Sequence, residues 1–153
     1  MTPEITLNLR GAKTRTAKSI TRYIAPSVRI LVGAAFTIFG LNGFLNFIPQ
    51  PTTPLPAAAV AFMEALIATG YMLQLIAATQ LIVGVLLLSN RFVPLALALL
   101  APFIVNSILF HIFLEPTGRP MAFIVLALEL YLAWTYRASY KAMLAARVAP
   151  VNN

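Results

Sequence analysis

The only histidine of the chain, His111, stands between Ser107 and Glu115 at i, i+4 and i+8, a spacing that puts all three on one face of a helix. An imidazole and a carboxylate placed so can share a metal. The chain has no cysteine, no aspartate and no second histidine to complete a ligand set, so neither a metal site nor a haem axial role is expected. Hydrogen bonding remains, within the protein or to a ligand. Glu129 lies inside an apolar stretch, where a bare carboxylate costs about 2.5 to 3.5 kcal/mol on insertion scales and must be protonated, paired or wetted. Gln80 is its expected partner. Asn42, Asn46, Gln74 and Asn106 complete a set of polar side chains embedded in apolar surroundings. Amides in such positions either bond helix to helix, at about 0.6 kcal/mol each, or face a ligand.

The elements that must position these residues follow from composition. Of 153 residues 60% are hydrophobic and 10% charged, and the mean hydropathy is +0.86. That leaves too little polar surface for a water-soluble domain and too much apolar content for a disordered chain. Four stretches are apolar over about the length needed to cross hydrocarbon: 30–48, 71–88, 92–114 and 121–136, the last ending on the interfacial aromatic pair Trp134 and Tyr136. Breakers divide them: the proline-rich run after Ile48, Ser89-Asn90-Arg91, and Glu115-Pro116-Thr117-Gly118-Arg119-Pro120. Residues 57–69 are helix-forming but too short to span, and Gly70 follows as a C-cap. The expected fold is all-α: an integral membrane four-helix bundle over 28–140, with an extra interfacial helix between its first two members. A flexible basic tail (1–27) and a C-terminal tail (141–153) flank it.

The net charge of +7 is set by topology rather than by nucleic acid. Arg10, Lys13, Arg15, Lys18, Arg22, Arg29, Arg91, Arg137, Lys141 and Arg147 fall on one side of the four segments, against Arg119 on the other. By the positive-inside rule both termini are cytosolic, and the proline loop and short helix lie outside. A cleaved secretory signal is the weaker reading, because the first apolar run exceeds the usual h-region length.

Depth follows from about 1.5 Å of rise per residue. Gln80 and Glu129 share the midplane; Asn42 and Asn106 lie about 4 to 5 Å to the outer side and Asn46, Gln74 and His111 about 8 to 12 Å to it. The cytosolic half is almost wholly apolar. A polar pocket open to the extracytoplasmic side and plugged below is expected from Asn42, Asn46, Gln74, Gln80, Asn106, His111 and Glu129. The Gly33, Thr37, Gly40 stripe and Gly84 allow close helix approach, and Pro102 frees a carbonyl one turn before Asn106.

Several blocks in order, Phe39-Gly40-Leu41-Asn42-Gly43-Phe44 to Phe47-Ile48-Pro49, Gly70-Tyr71, Arg91-Phe92-Val93-Pro94-Leu95-Ala96, Ala101-Pro102, Val105-Asn106 and Phe110-His111, resemble the DoxX-like family of small bacterial membrane proteins. The resemblance covers about Arg29 to Tyr140. It implies a four-helix transmembrane bundle in the bacterial inner membrane. The family includes a small subunit of a thiosulfate:quinone oxidoreductase and partners of redox or detoxifying proteins. Many relatives carry Glu where this chain has Gln80, so a two-carboxylate pairing with Glu129 is reduced to one.

No catalytic constellation is present. The expectation is an accessory or small-molecule- or lipid-binding membrane protein. One alternative is a membrane subunit of a quinone-linked oxidoreductase, whose electrons come from a partner chain and whose cofactor is a quinone. The other is a small transporter working as a homo-oligomer. The expected partners are the lipid bilayer and a redox or other membrane subunit or a second copy of the chain, with no nucleic acid.

Overall fold

The computed structural model describes the backbone of residues 3–49 and 53–140, and side chains from Tyr23 onward within those ranges. The C-terminal tail 141–153 lies outside the described residues. Five helices follow in order: α1 (Pro3–Leu45), α2 (Ala57–Ala68), α3 (Met72–Leu88), α4 (Val93–Phe113) and α5 (Arg119–Thr135), with one-turn 3-10 segments at Pro116–Gly118 and Arg137–Tyr140. Among the described residues there is no strand. The backbone is helical from Pro3, where the sequence suggested a flexible arm to residue 27. Pro26 sits within α1 without ending it; a proline costs a helix one backbone hydrogen bond and a kink, and the apolar run that follows carries the helix on.

Among the described residues two helices are long and apolar enough to cross a membrane: Tyr23–Leu45 of α1, and α4. A third crossing is available if α2 and α3, bent by 90° at the break between them, count as one span. The bend falls at Gly70, whose φ of +75° is a left-handed conformation that glycine adopts without strain. Helix α5 has 17 residues and reaches about 26 Å, slightly under the hydrocarbon thickness.

The closest packing joins α1 to α3, antiparallel. Gly33 abuts Leu87 and Leu88, Gly84 abuts Thr37, Gly40 abuts Leu81, and Gly43 abuts Ala77. A methyl group on Gly40 would come within 2.5 Å of the Leu81 amide nitrogen and 2.8 Å of its Cα. Thr37 keeps its hydroxyl out of the way by donating to its own helix, at Gly33 O (2.8 Å). Further contacts run from α3 to α4, α4 to α5, and more sparsely α5 to α1, closing a ring, while α2 touches α3.

The buried residues gather at one end of this ring: Val32 and Phe36 of α1, Val83 and Leu87 of α3, Val93, Leu97, Leu100 and Ile104 of α4, and Leu132 of α5. Three arginines secure helix C-termini, whose last carbonyls lack intrahelical donors. Arg29, itself buried, donates to Leu87 O and to Leu88 O at the end of α3. Arg119 donates to His111 O (3.0 Å) and Ile112 O (2.8 Å) at the end of α4. Arg137 donates to Trp134 O (2.9 Å) at the end of α5, with its guanidinium 4.8 Å from the Trp134 ring centroid. A cation against the negative end of the helix dipole adds to each bond.

Candidate functional site

Away from the buried end the ring does not fill. A cleft of about 400 Å³ opens among α1, α3, α4 and α5. Its apolar wall is Phe36, Phe39, Phe103, Ile104, Met121, Ala122 and Val125; its polar groups are Asn42 from α1, Gln80 from α3, and Ser107 and His111 from α4. No charged side chain lines it. Phe36 and Phe103 meet edge to face with centroids 5.8 Å apart, and this pair belongs to both the cleft and the buried cluster. It is the floor between the hollow half and the packed half.

Local sequence explains how the polar groups are held. Helix α1 stops because Asn46 takes a left-handed conformation (φ +49°), for which asparagine is the usual substitute for glycine. The Asn42 side chain then accepts from Ile48 N through Oδ1 (2.7 Å), which leaves its amide N–H groups to the cleft. At the other wall Glu115 closes the turn from α4 to α5. It accepts from Thr117 N (3.1 Å), Gly118 N (3.0 Å) and the Thr117 hydroxyl. It also pairs with His111 Nδ1 at 3.0 Å, and the Glu115 backbone oxygen lies equally close to the same nitrogen. The Thr117 hydroxyl foremost, then the two amides and His111, hold the Glu115 carboxyl below its usual pKa against the opposing effect of burial. Gly118 lies against the imidazole: any Cβ there would overlap the His111 ring.

The seven residues expected to share one pocket are distributed differently. Asn42, Gln80 and His111 line the cleft. Asn46 is exposed and serves as the helix terminator, and Gln74 is exposed on α3 outside the cavities described here. Asn106 lines a separate groove of about 570 Å³ between α2, α3 and α4, walled by Phe62, Leu66, Met72 and Leu75 among others. Phe103 lines both cavities and divides them. Pro102, with its missing backbone donor, lies in this groove too.

Glu129 is buried in α5 and lines neither cavity. Gln80 does not reach it: the two form no hydrogen bond. Glu129 sits one helical turn beyond Val125, on the packed side of the cleft floor. Its charge is felt at Tyr140, whose phenol burial pushes above its usual pKa with Glu129 adding to the shift. That phenol donates to Pro94 O (3.1 Å) and ties the end of the described chain to the first turn of α4.

Ser107 and the aromatic floor complete the cleft. The i, i+4 stripe with His111 pointed to Ser107, whereas nothing in the sequence paired Phe36 with Phe103. Among the described residues no three His, Cys, Asp or Glu side chains come together as a metal set would. Compared with protein-family models, with curated proteins and with solved structures, the chain finds no match.

Proposed function

We propose that the chain is a DoxX-like bacterial inner-membrane protein in which α1, α3, α4 and α5 cross the bilayer as a four-helix bundle, with α2 in the outer interface and both termini in the cytosol. Its role is to bind a small, uncharged, mostly apolar molecule in the cleft, as an accessory protein without chemistry of its own. The family blocks from Phe39 to His111 support the assignment, as do the closed ring of helix contacts and the arginines Arg29, Arg91 and Arg137 at one end.

One observation carries the binding reading: a cleft of about 400 Å³ set among α1, α3, α4 and α5, apolar-walled, with polar groups converging on it from three helices. Small-molecule sites have this size and this lining. The hydrogen bonds described engage Asn42 through Oδ1 and His111 through Nδ1. The Asn42 amide, Gln80 and Ser107 are left to meet a guest. A dry cluster below the Phe36–Phe103 floor favours a closed-ended site over a conduction path, which needs a continuous polar route.

The test is ligand-dependent thermal stabilisation of the protein in lipid nanodiscs, against a panel of neutral amphiphiles that includes a short-chain quinone and a long-chain alcohol. A binder should raise Tm in the wild type and in Asn106→Leu, a change outside the cleft lining. Its effect should be lost in the combined variant Asn42→Leu, Gln80→Leu and Ser107→Ala. Loss in Asn106→Leu instead would move the site to the groove.

A further inference from the structure

We infer that the cleft selects neutral ligands carrying a hydrogen-bond donor, an O–H or N–H group, because His111 is fixed as the tautomer that offers an acceptor on its free side. This rests on the binding reading of the cleft and specifies its chemistry.

Two atoms face His111 Nδ1, each at 3.0 Å: the backbone oxygen of Glu115 and its carboxylate Oε2. Both accept and neither can donate, since the carboxyl is held ionised by the Thr117 hydroxyl and the Thr117 and Gly118 amides. Nδ1 therefore carries the hydrogen. In a neutral imidazole one nitrogen donates and the other accepts, and the partner of the first decides which. Nε2 is left with a lone pair and, among the described residues, with no donor to fill it. The ring cannot turn to exchange its nitrogens without breaking both Nδ1 contacts, and Gly118 packs against it closely enough that even a methyl group would collide.

His111 lines a cleft with no charged side chain. An ionic guest would enter unpaired, which low-dielectric surroundings penalise heavily. A guest that only accepts would satisfy the Asn42 amide and Gln80 yet leave the imidazole lone pair dry, and an unsatisfied buried acceptor is costly. The favoured guest is thus flat enough to lie on Phe36 and Phe103, neutral, and tipped with a hydroxyl or amine N–H.

Because His111 is the only histidine, the full-length protein labelled with ¹⁵N-histidine reports this one ring alone. At pH 8 the ¹⁵N spectrum should show a protonated Nδ1 and an unprotonated, pyridine-type Nε2. A protonated Nε2, in either the other tautomer or the imidazolium, overturns the inference whether or not any ligand is known.

The second readout compares 4-phenylphenol with 4-methylbiphenyl, near isosteres with and without the donor. Wild type should prefer the phenol by about three- to tenfold, the range of one net hydrogen bond. The phenol should also shift the Nε2 resonance upfield. His111→Asn keeps an N–H where Nδ1 stands but has nothing in place of Nε2, so the preference should vanish while both probes still bind. Equal affinity of the two probes in wild type contradicts the inference but leaves the cleft a binding site; failure of both to bind contradicts the binding reading as well.

Discussion

The two halves of the helix ring are made from the same kinds of residue and packed to opposite ends. In the basic half Leu87, Leu97, Leu100 and Leu132 are fully or almost fully buried, and the buried Arg29 spends its donors on the end of α3. In the other half Phe39, Met121 and Asn42 border open space. The difference lies in the helix pairs. Along α1 and α3 the glycines bring backbones together over the whole length, whereas α5 meets α1 sparsely. With the turn at Glu115–Gly118 holding the far ends of α4 and α5, the space between α1 and α5 is left for something other than side chains.

Substitutions sharpen this contrast. Leu100→Ala, in the middle of the packed half, should cost the most, about 2 to 5 kcal/mol for a fully buried leucine, read by reversible unfolding in mixed micelles. Gly40→Ala should cost about 1 to 3 kcal/mol despite adding a single methyl, because that methyl meets the Leu81 backbone and not a flexible side chain. Phe39→Ala, on the hollow side, should cost less than either, since the ring is half exposed. If Phe39→Ala matched Leu100→Ala, the hollow half would be as tightly built as the packed one.

The Glu115 turn adds a pH test. The folded carboxyl titrates below its unfolded value, so it stabilises the fold above about pH 4.5, the ordinary carboxyl range. That contribution is lost as pH falls through the lower folded value. Glu115→Gln should be less stable than wild type at pH 7, and the difference should shrink progressively below pH 4.5, followed by Tm in nanodiscs. A constant difference from pH 7 to pH 3 would mean that the carboxylate charge does not hold the turn.

How far the sequence reached can be read from neighbouring residues. The ends of α2, α3 and α4 follow from proline, glycine and the Ser89-Asn90-Arg91 break, because such breakers act locally. The glycine stripe foretold close packing on α1. Position around the helix was another matter. Rise per residue gives depth, but Asn106 and Ser107 differ by one residue and about 100° of rotation, and that rotation keeps Asn106 out of the cleft while Ser107 reaches both the cleft and the space under α2. Only the neighbouring helices decide which. The same gap separates Gln80 from Glu129, given matching depths by rise per residue yet not hydrogen-bonded, the one on the cleft and the other in the buried part of α5. Asn46 offered a readable signal, an asparagine three residues before Pro49 at the end of an apolar run, and its role is to end α1. The sequence did not show that Arg29, Arg119 and Arg137 cap named carbonyls, because those contacts depend on which helix end lies beside each guanidinium.

The most direct test of hollow against packed uses the absence of cysteine from the chain. Ser107→Cys and Leu97→Cys place one thiol on the cleft wall and one in the buried cluster of the same helix. Each full-length variant is exposed in nanodiscs to a small neutral methanethiosulfonate reagent. The thiol at position 107 should react readily and be protected by whichever amphiphile raises Tm, while the thiol at 97 stays unmodified until the protein unfolds. Equal reaction at both positions, or none at 107, would contradict the cleft.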